Sequence, residues 1–131
     1  MDQPNLIKII IIDDHPLFRK GVKNLLSMNP LFTVIGEAAN GGDGIQLAIE
    51  TSPDLILLDI DMKGMNGIET LTLLKQERLP SKVIMLSVSN HESDVLDALR
   101  SGADGYLLKD MEPEQILEKI EQAAAGHTVI S

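Results

Sequence analysis

Apolar positions along the chain alternate between two periods. Leu6–Ile12 is an almost unbroken β-branched run that stops at Asp13-Asp14. Runs of this kind form strands buried on both faces, as in a parallel sheet. From Pro16, a residue suited to the first turn of a helix, the spacing becomes helical. Leu17, Phe18, Val22, Leu25 and Leu26 fall on one face until Asn29-Pro30 ends the helix. The alternation then repeats. Phe32–Ala39 reads as a second, weaker strand, and Asn40 as the cap of a helix whose face is Ile45, Ala48 and Ile49, broken by Ser52-Pro53. Leu55–Leu58 is a third apolar run and ends abruptly at Asp59. Asn66 caps the next helix, with Glu69 placed for a reciprocal capping bond and Ile68, Leu71 and Leu74 as its stripe. Lys82–Val88 is a fourth strand. Ser89 and Glu92 have capping-box spacing ahead of Val95, Leu96 and Leu99, and Gly102 reads as a helix C-terminal glycine. Gly105–Leu108 is a short fifth strand that ends at Lys109. Pro113 opens a last helix with Ile116, Leu117, Ile120, Ala123 and Ala124 inward, and Gly126 ends it.

Strand and helix thus alternate five times, in units of roughly twenty to thirty residues, as βαβ packing requires. The pattern predicts an α/β, doubly wound parallel sheet with helices on both faces and right-handed crossovers. The 131 residues fit a single domain, and with aromatics at only 2% its core must be aliphatic. A formal net charge of −9 argues against direct nucleic-acid binding by this piece. The absence of cysteine excludes disulfides, thiol catalysis and zinc-thiolate sites. No apolar run approaches the roughly 18 residues of a membrane span, and Met1–Asn5 lack a basic signal-peptide start, so a cytoplasmic protein is expected. Asn40-Gly41-Gly42-Asp43-Gly44 is glycine-rich but matches neither dinucleotide nor P-loop spacing, and it reads as a turn and helix start.

The chemistry-bearing residues gather where strands end. In a parallel sheet all carboxyl ends lie along one edge, where open α/β sheets keep their ligand crevice. That edge collects Asp13 and Asp14 from the first strand, Asp59 from the third, Ser87 from the fourth and Lys109 from the fifth. Singly, each has a plainer role: Asp13 or Asp14 as a helix cap, Asp59 as a strand end, Ser87 as a turn residue, Lys109 as a solvated charge, Tyr106 as a half-buried strand residue. Together they make a set. Three converging carboxylates repel one another, and a hard divalent cation such as Mg²⁺ resolves the repulsion. A lysine and a hydroxyl at the same edge suit phosphoryl oxygens. Asp59 is then a plausible nucleophile, since carboxylates form aspartyl phosphates.

Ile12-Asp13-Asp14-His15-Pro16, Leu58-Asp59-Ile60-Asp61-Met62 with Gly64-Met65-Asn66-Gly67, Ser87, and Gly102–Lys109 together resemble, in order and over nearly the whole chain, the receiver domain of bacterial two-component response regulators. The Asp-Asp-His-Pro start, Ser87-Val88-Ser89-Asn90-His91-Glu92 and Tyr106–Pro113 resemble the NarL-type (NarL/FixJ) nitrate/nitrite regulators in particular. The resemblance implies a flavodoxin-like, CheY-like sheet of five strands in the order 2-1-3-4-5. It implies phosphorylation of Asp59 by a sensor histidine kinase. Mg²⁺ would be held by Asp14, Asp59 and the backbone carbonyl of Asp61, with Asp13 acting through water. Lys109 and Ser87 would contact the phosphoryl group, and Tyr106 would be the aromatic switch. It further implies a switch that is not a turnover enzyme, a homodimer on phosphorylation, and control of transcription in response to nitrate or nitrite. Residues 126–131 would begin a linker to a helix-turn-helix DNA-binding output domain that this sequence does not contain. Two positions depart from the family pattern. Lys63 stands where a proline often follows Met62, and Asp110 where a proline often follows Lys109, so a cis peptide after Lys109 is not expected.

A second reading is a haloacid-dehalogenase-type phosphatase, in which Asp59-x-Asp61 supplies nucleophile and general acid-base. Against it, that motif normally ends the first strand, and no acidic pair follows Lys109 at a strand end.

Overall fold

The computed structural model describes residues 6–130; Met1–Asn5 and Ser131 lie outside the described residues. The elements run β1 (Ile7–Ile12), α1 (Pro16–Leu26), β2 (Phe32–Ala38), α2 (Gly41–Thr51), β3 (Leu55–Asp59), α3 (Gly67–Gln76), β4 (Lys82–Ser87), α4 (Glu92–Arg100), β5 (Gly105–Leu108), α5 (Pro113–Ala124) and β6 (Val129–Ile130). All strand pairs are parallel, in the order β2-β1-β3-β4-β5-β6. The chain first winds outward from β1 to β2, then returns past β1 to β3 and onward. The winding reverses between β1 and β3, so the crevice at their carboxyl ends is the topological switch point of the sheet.

The apolar runs are continuous because alternate residues feed two cores. Ile9, Ile11, Leu55, Leu57, Ile84 and Leu86 pack against Val22 and Leu26 of α1 and Ile116 and Ile120 of α5. Ile10, Ile12, Ile56, Leu58 and Met85 pack on the other face against Ala48 of α2, Leu71 and Leu74 of α3 and Ala98 of α4. Each fully buried aliphatic side chain is worth about 1.5–3 kcal/mol relative to exposure, so both cores hold the strand ends in fixed positions.

The sheet has six strands where five were expected. Gly126, at φ +101°, turns the chain after α5, and Val129 and Ile130 pair with Gly105 and Tyr106 of β5. The segment expected to begin a linker therefore first lies along the β5 edge. An edge strand leaves a row of unpaired backbone groups, and Gly105 gives the covering strand room: a Cβ there would come within 2.8 Å of the Val129 side chain. A two-residue strand is too short to show a period.

Three local expectations also change. Asn66 accepts from the Glu69 amide at 2.9 Å, but the reciprocal bond, in which the Glu69 carboxylate accepts from the Asn66 amide, is not formed among the described residues. Ser89 does not cap α4: its hydroxyl bonds the Asp94 carboxylate, and the cap position falls to His91, whose side chain makes no capping bond. In α4 the buried residue is Ala98, while Leu96 is exposed. No peptide bond among the described residues is cis, including the one after Lys109.

Candidate functional site

Asp13 leaves β1 with its amide still bonded to the Ala38 carbonyl at 3.0 Å, so its position is fixed by the sheet. From α1, Arg19 donates to the Asp13 carbonyl and reaches Glu37 at 3.1 Å, where Lys23 joins at 2.7 Å. The Lys23 hydrogen bond, with Arg19 assisting, holds the Glu37 carboxyl below its ordinary range against the opposing effect of burial. Asp59 is the last residue of β3. Gly67 allows α3 to start directly above it: a Cβ there would sit 2.4 Å from the Asp59 carbonyl oxygen and from the Ile60 Cα.

These elements bring Asp13, Asp14, His15 and Asp59 together, with one ligand atom from each lying within 4.8 Å of the others. Asp13 and Asp59 are fully buried. Lys109, immediately after β5, places its ammonium 2.9 Å from Asp13 Oδ2 and 3.2 Å from Asp59 Oδ1, and 4.5 Å from the centroid of the Phe18 ring. The contact with Asp13 Oδ2 is an ion pair without hydrogen-bond alignment. The Asp61 amide donates to Asp59 Oδ1 at 3.1 Å and the Lys63 amide to Asp14 Oδ2 at 3.2 Å. Asp59 Oδ2 and Asp14 Oδ1 are buried without a hydrogen-bond partner. Burial raises the Asp59 carboxyl above its ordinary value, and the Asp13 charge adds to this. The Asp61 amide and the Lys109 ammonium work the other way. Three carboxylates against one ammonium, with two carboxylate oxygens unpartnered, form a centre suited to a divalent cation with oxygen ligands.

Ser87 ends β4 and is buried. Its hydroxyl accepts from the Ser89 amide at 2.9 Å and faces Asp61 Oδ2 at 3.4 Å, so here it is engaged with the β4–α4 loop and not with Asp59. Tyr106 is fully buried in the second core, where its hydroxyl donates to the Ser89 carbonyl at 2.8 Å, and burial pushes its pKa up. The Ser87 and Tyr106 side chains thus both bond the backbone of Ser89, one at its amide and the other at its carbonyl.

The residue that sequence reasoning passed over as a mere part of the Asp-Asp-His-Pro motif is His15. Its amide donates to Asp13 Oδ1 at 2.8 Å, an Asx-type turn that folds the chain back on itself. The ring Nδ1 then lies 2.8 Å from Asp13 Oδ1, 3.2 Å from Asp14 Oδ1, 3.4 Å from Asp59 Oδ2 and 3.2 Å from Lys109 Nζ. Asp is a residue that favours such turns, but nothing in the sequence marks the His15 ring as one that returns to the carboxylates. Phe18, beneath Lys109, carried no such mark either.

This fold is that of a signal receiver domain. The sequence matches the response regulator receiver domain over residues 9–121, and the chain belongs to that family. It is 59% identical over 123 residues to the nitrate/nitrite response regulator protein NarL of Escherichia coli K12, covering 94% of this chain and 57% of the relative. It is 44% identical over 131 residues to NarP, the corresponding regulator of the same organism, covering all of this chain and 61% of NarP. The chain therefore spans somewhat over half the length of these relatives. Among solved structures, the signal receiver domain of a NarL response regulator from Mycobacterium tuberculosis superposes with a TM-score of 0.90 at 35% identity, over 95% of this chain and all of that one. The phosphatase reading fails on these grounds: the matched family is a signalling one, and Asp59 ends the third strand of a receiver topology. Asp13, Asp14 and Asp59 form the acidic pocket at which receiver domains bind Mg²⁺.

Proposed function

We propose that this chain is the phosphoacceptor domain of a two-component response regulator and that Asp59 takes the phosphoryl group from a histidine of a sensor kinase. The observation that carries this reading is the fully buried, unpartnered Asp59 Oδ2, set between Asp14 and His15 while Lys109 steadies Oδ1 of the same carboxylate. Asp59, as the carboxylate, attacks phosphorus; the phosphorus–nitrogen bond breaks, its electron pair returns to the departing imidazole, and an acyl phosphate forms. Asp14, Asp59 and the Asp61 carbonyl, with Asp13 through water, would hold Mg²⁺. When bound, the ion offsets the charge of the carboxylates and the phosphoryl oxygens. Lys109 supplies a point charge to one phosphoryl oxygen, and Ser87, released from Asp61, donates to another. Because the Ser89 segment is bonded to both Ser87 and Tyr106, movement of Ser87 toward the new charge frees Tyr106 and shifts a pre-existing two-state equilibrium.

The wider role rests on likeness to the nitrate/nitrite regulators. We place this domain in the cytoplasm, upstream of a DNA-binding output domain, with homodimerisation on phosphorylation and transcription in response to nitrate or nitrite as the output. It acts as a switch that catalyses only its own phosphorylation and dephosphorylation. Incubation with acetyl phosphate and Mg²⁺ should add one phosphate mass, and Asp59→Asn should abolish the addition. Full labelling of the Asn variant would overturn the assignment.

A further inference from the structure

We propose that His15 is a ligand of the acidic centre through Nδ1, and that it tunes the site toward borderline divalent cations such as Co²⁺ in addition to Mg²⁺. This rests on the reading above that the carboxylates hold a divalent ion. An octahedral ion with bonds of about 2.1 Å separates neighbouring ligand atoms by about 3.0 Å. The His15 Nδ1 separations of 3.2 and 3.4 Å from the Asp14 and Asp59 oxygens are edges of that size. Asp13 Oδ1 at 2.8 Å and Lys109 Nζ at 3.2 Å hold the nitrogen at the centre without an ion, and these two contacts give way to the metal, with Asp13 acting through water. Two of those oxygens, Asp14 Oδ1 and Asp59 Oδ2, are buried and unpartnered, and they lie on the ring nitrogen's side of the cluster. The turn bond from the His15 amide to Asp13 Oδ1 and Pro16 at the start of α1 fix where the ring can go. The ring is 55% exposed at the mouth of the site, so it carries little of the core.

The chemistry differs from that of an all-oxygen centre. Mg²⁺ prefers carboxylate, carbonyl and water, whereas imidazole suits the later first-row metals, whose affinities for a given site rise along the Irving–Williams order. A nitrogen at one vertex therefore strengthens Co²⁺ binding while leaving Mg²⁺, which keeps most of its waters, little affected. His15 sits two residues after Asp13 on the short segment that also carries Asp14, so one loop supplies both carboxylate and nitrogen ligands.

Calorimetric titration of the chain with Co²⁺ and with Mg²⁺ tests this, alongside His15→Ala, His15→Asn, His91→Ala and Asp14→Ala. The expected result is a loss of at least tenfold in Co²⁺ affinity in both His15 variants, with Mg²⁺ affinity changed less than threefold. A hyperfine-shifted imidazole N–H resonance in the Co²⁺ complex should vanish in His15→Ala and persist in His91→Ala. An unchanged ratio of Co²⁺ to Mg²⁺ affinity in the His15 variants, with Mg²⁺ still bound, overturns the ligand role and leaves the acidic centre standing. Undiminished binding of both metals by Asp14→Ala overturns the acidic centre itself, and this inference with it.

Discussion

Asp59→Asn should make the protein more stable at neutral pH, although it removes the residue on which the proposed function depends. Asp59 lies within 4.8 Å of ligand atoms on both Asp13 and Asp14; at an effective dielectric of about 20, each of these repulsions is about 3.5 kcal/mol. Lys109, at 3.2 Å, returns about 5 kcal/mol of attraction. The balance is about 2 kcal/mol of net repulsion, to which burial adds. Asparagine removes the charge yet keeps an oxygen for the Asp61 amide. The expected gain is about 2 kcal/mol, or about 6 °C in Tm for a domain of this size. The sign with pH follows from the raised carboxyl pKa of the folded state. The penalty is full above the folded value, where wild type must carry the charge. It fades as pH falls through that value and is gone well below the unfolded value of 3.8, where both states are protonated. Urea unfolding of both proteins in metal-free buffer, across that range, reads the difference directly. Mg²⁺ at ten times its dissociation constant should return about 1.4 kcal/mol to wild type and narrow the gap. A variant no more stable than wild type at neutral pH without metal would refute the view that the site is an electrostatically frustrated one.

Gly67→Ala should cost about 3 kcal/mol, since the added methyl meets backbone at the end of β3 and start of its loop, which has no rotamer to yield; equilibrium denaturation checks this. Lys109→Ala should still accept phosphate from acetyl phosphate, more slowly, because its proposed role is to tie the β5 loop to the new charge. Its amide shifts at Tyr106, Leu107 and Leu108 should then barely respond to beryllofluoride, and a wild-type response would leave Ser87 to carry the switch.

β1, β3 and β5 were legible because each is an apolar run cut off by a polar residue at its end, and that residue is the one the site uses: Asp13, Asp59, Lys109. Convergence followed from parallel topology, without knowledge of side-chain positions. What was not legible depends on conformation after the strand end. His15 reaches the carboxylates through a turn, Ser87 is diverted to Asp61 and Ser89, and the Ser89 hydroxyl prefers Asp94 to a capping role. Leu96 shows the limit of periodicity in a short helix: helical spacing names a stripe, but small Ala98 is what fits against the sheet.

Because β1, β3 and β4 are apolar on both faces, their hydrophobic pattern says nothing about how far one strand should slide along the next. A slip of one residue would exchange one aliphatic side chain for another and would swap the two cores, so the apolar runs by themselves mark the register only weakly. The marks that fix the alignment are at the ends, where Asp59 pairs with Leu86 and Ser87 with Leu108: a slip of one residue would turn these polar side chains away from the site and into an apolar core. The residues proposed to handle phosphate therefore also act as punctuation for folding. Replacing one of them by an aliphatic residue would do more than silence the site, since the strand would lose the stop that sets its register.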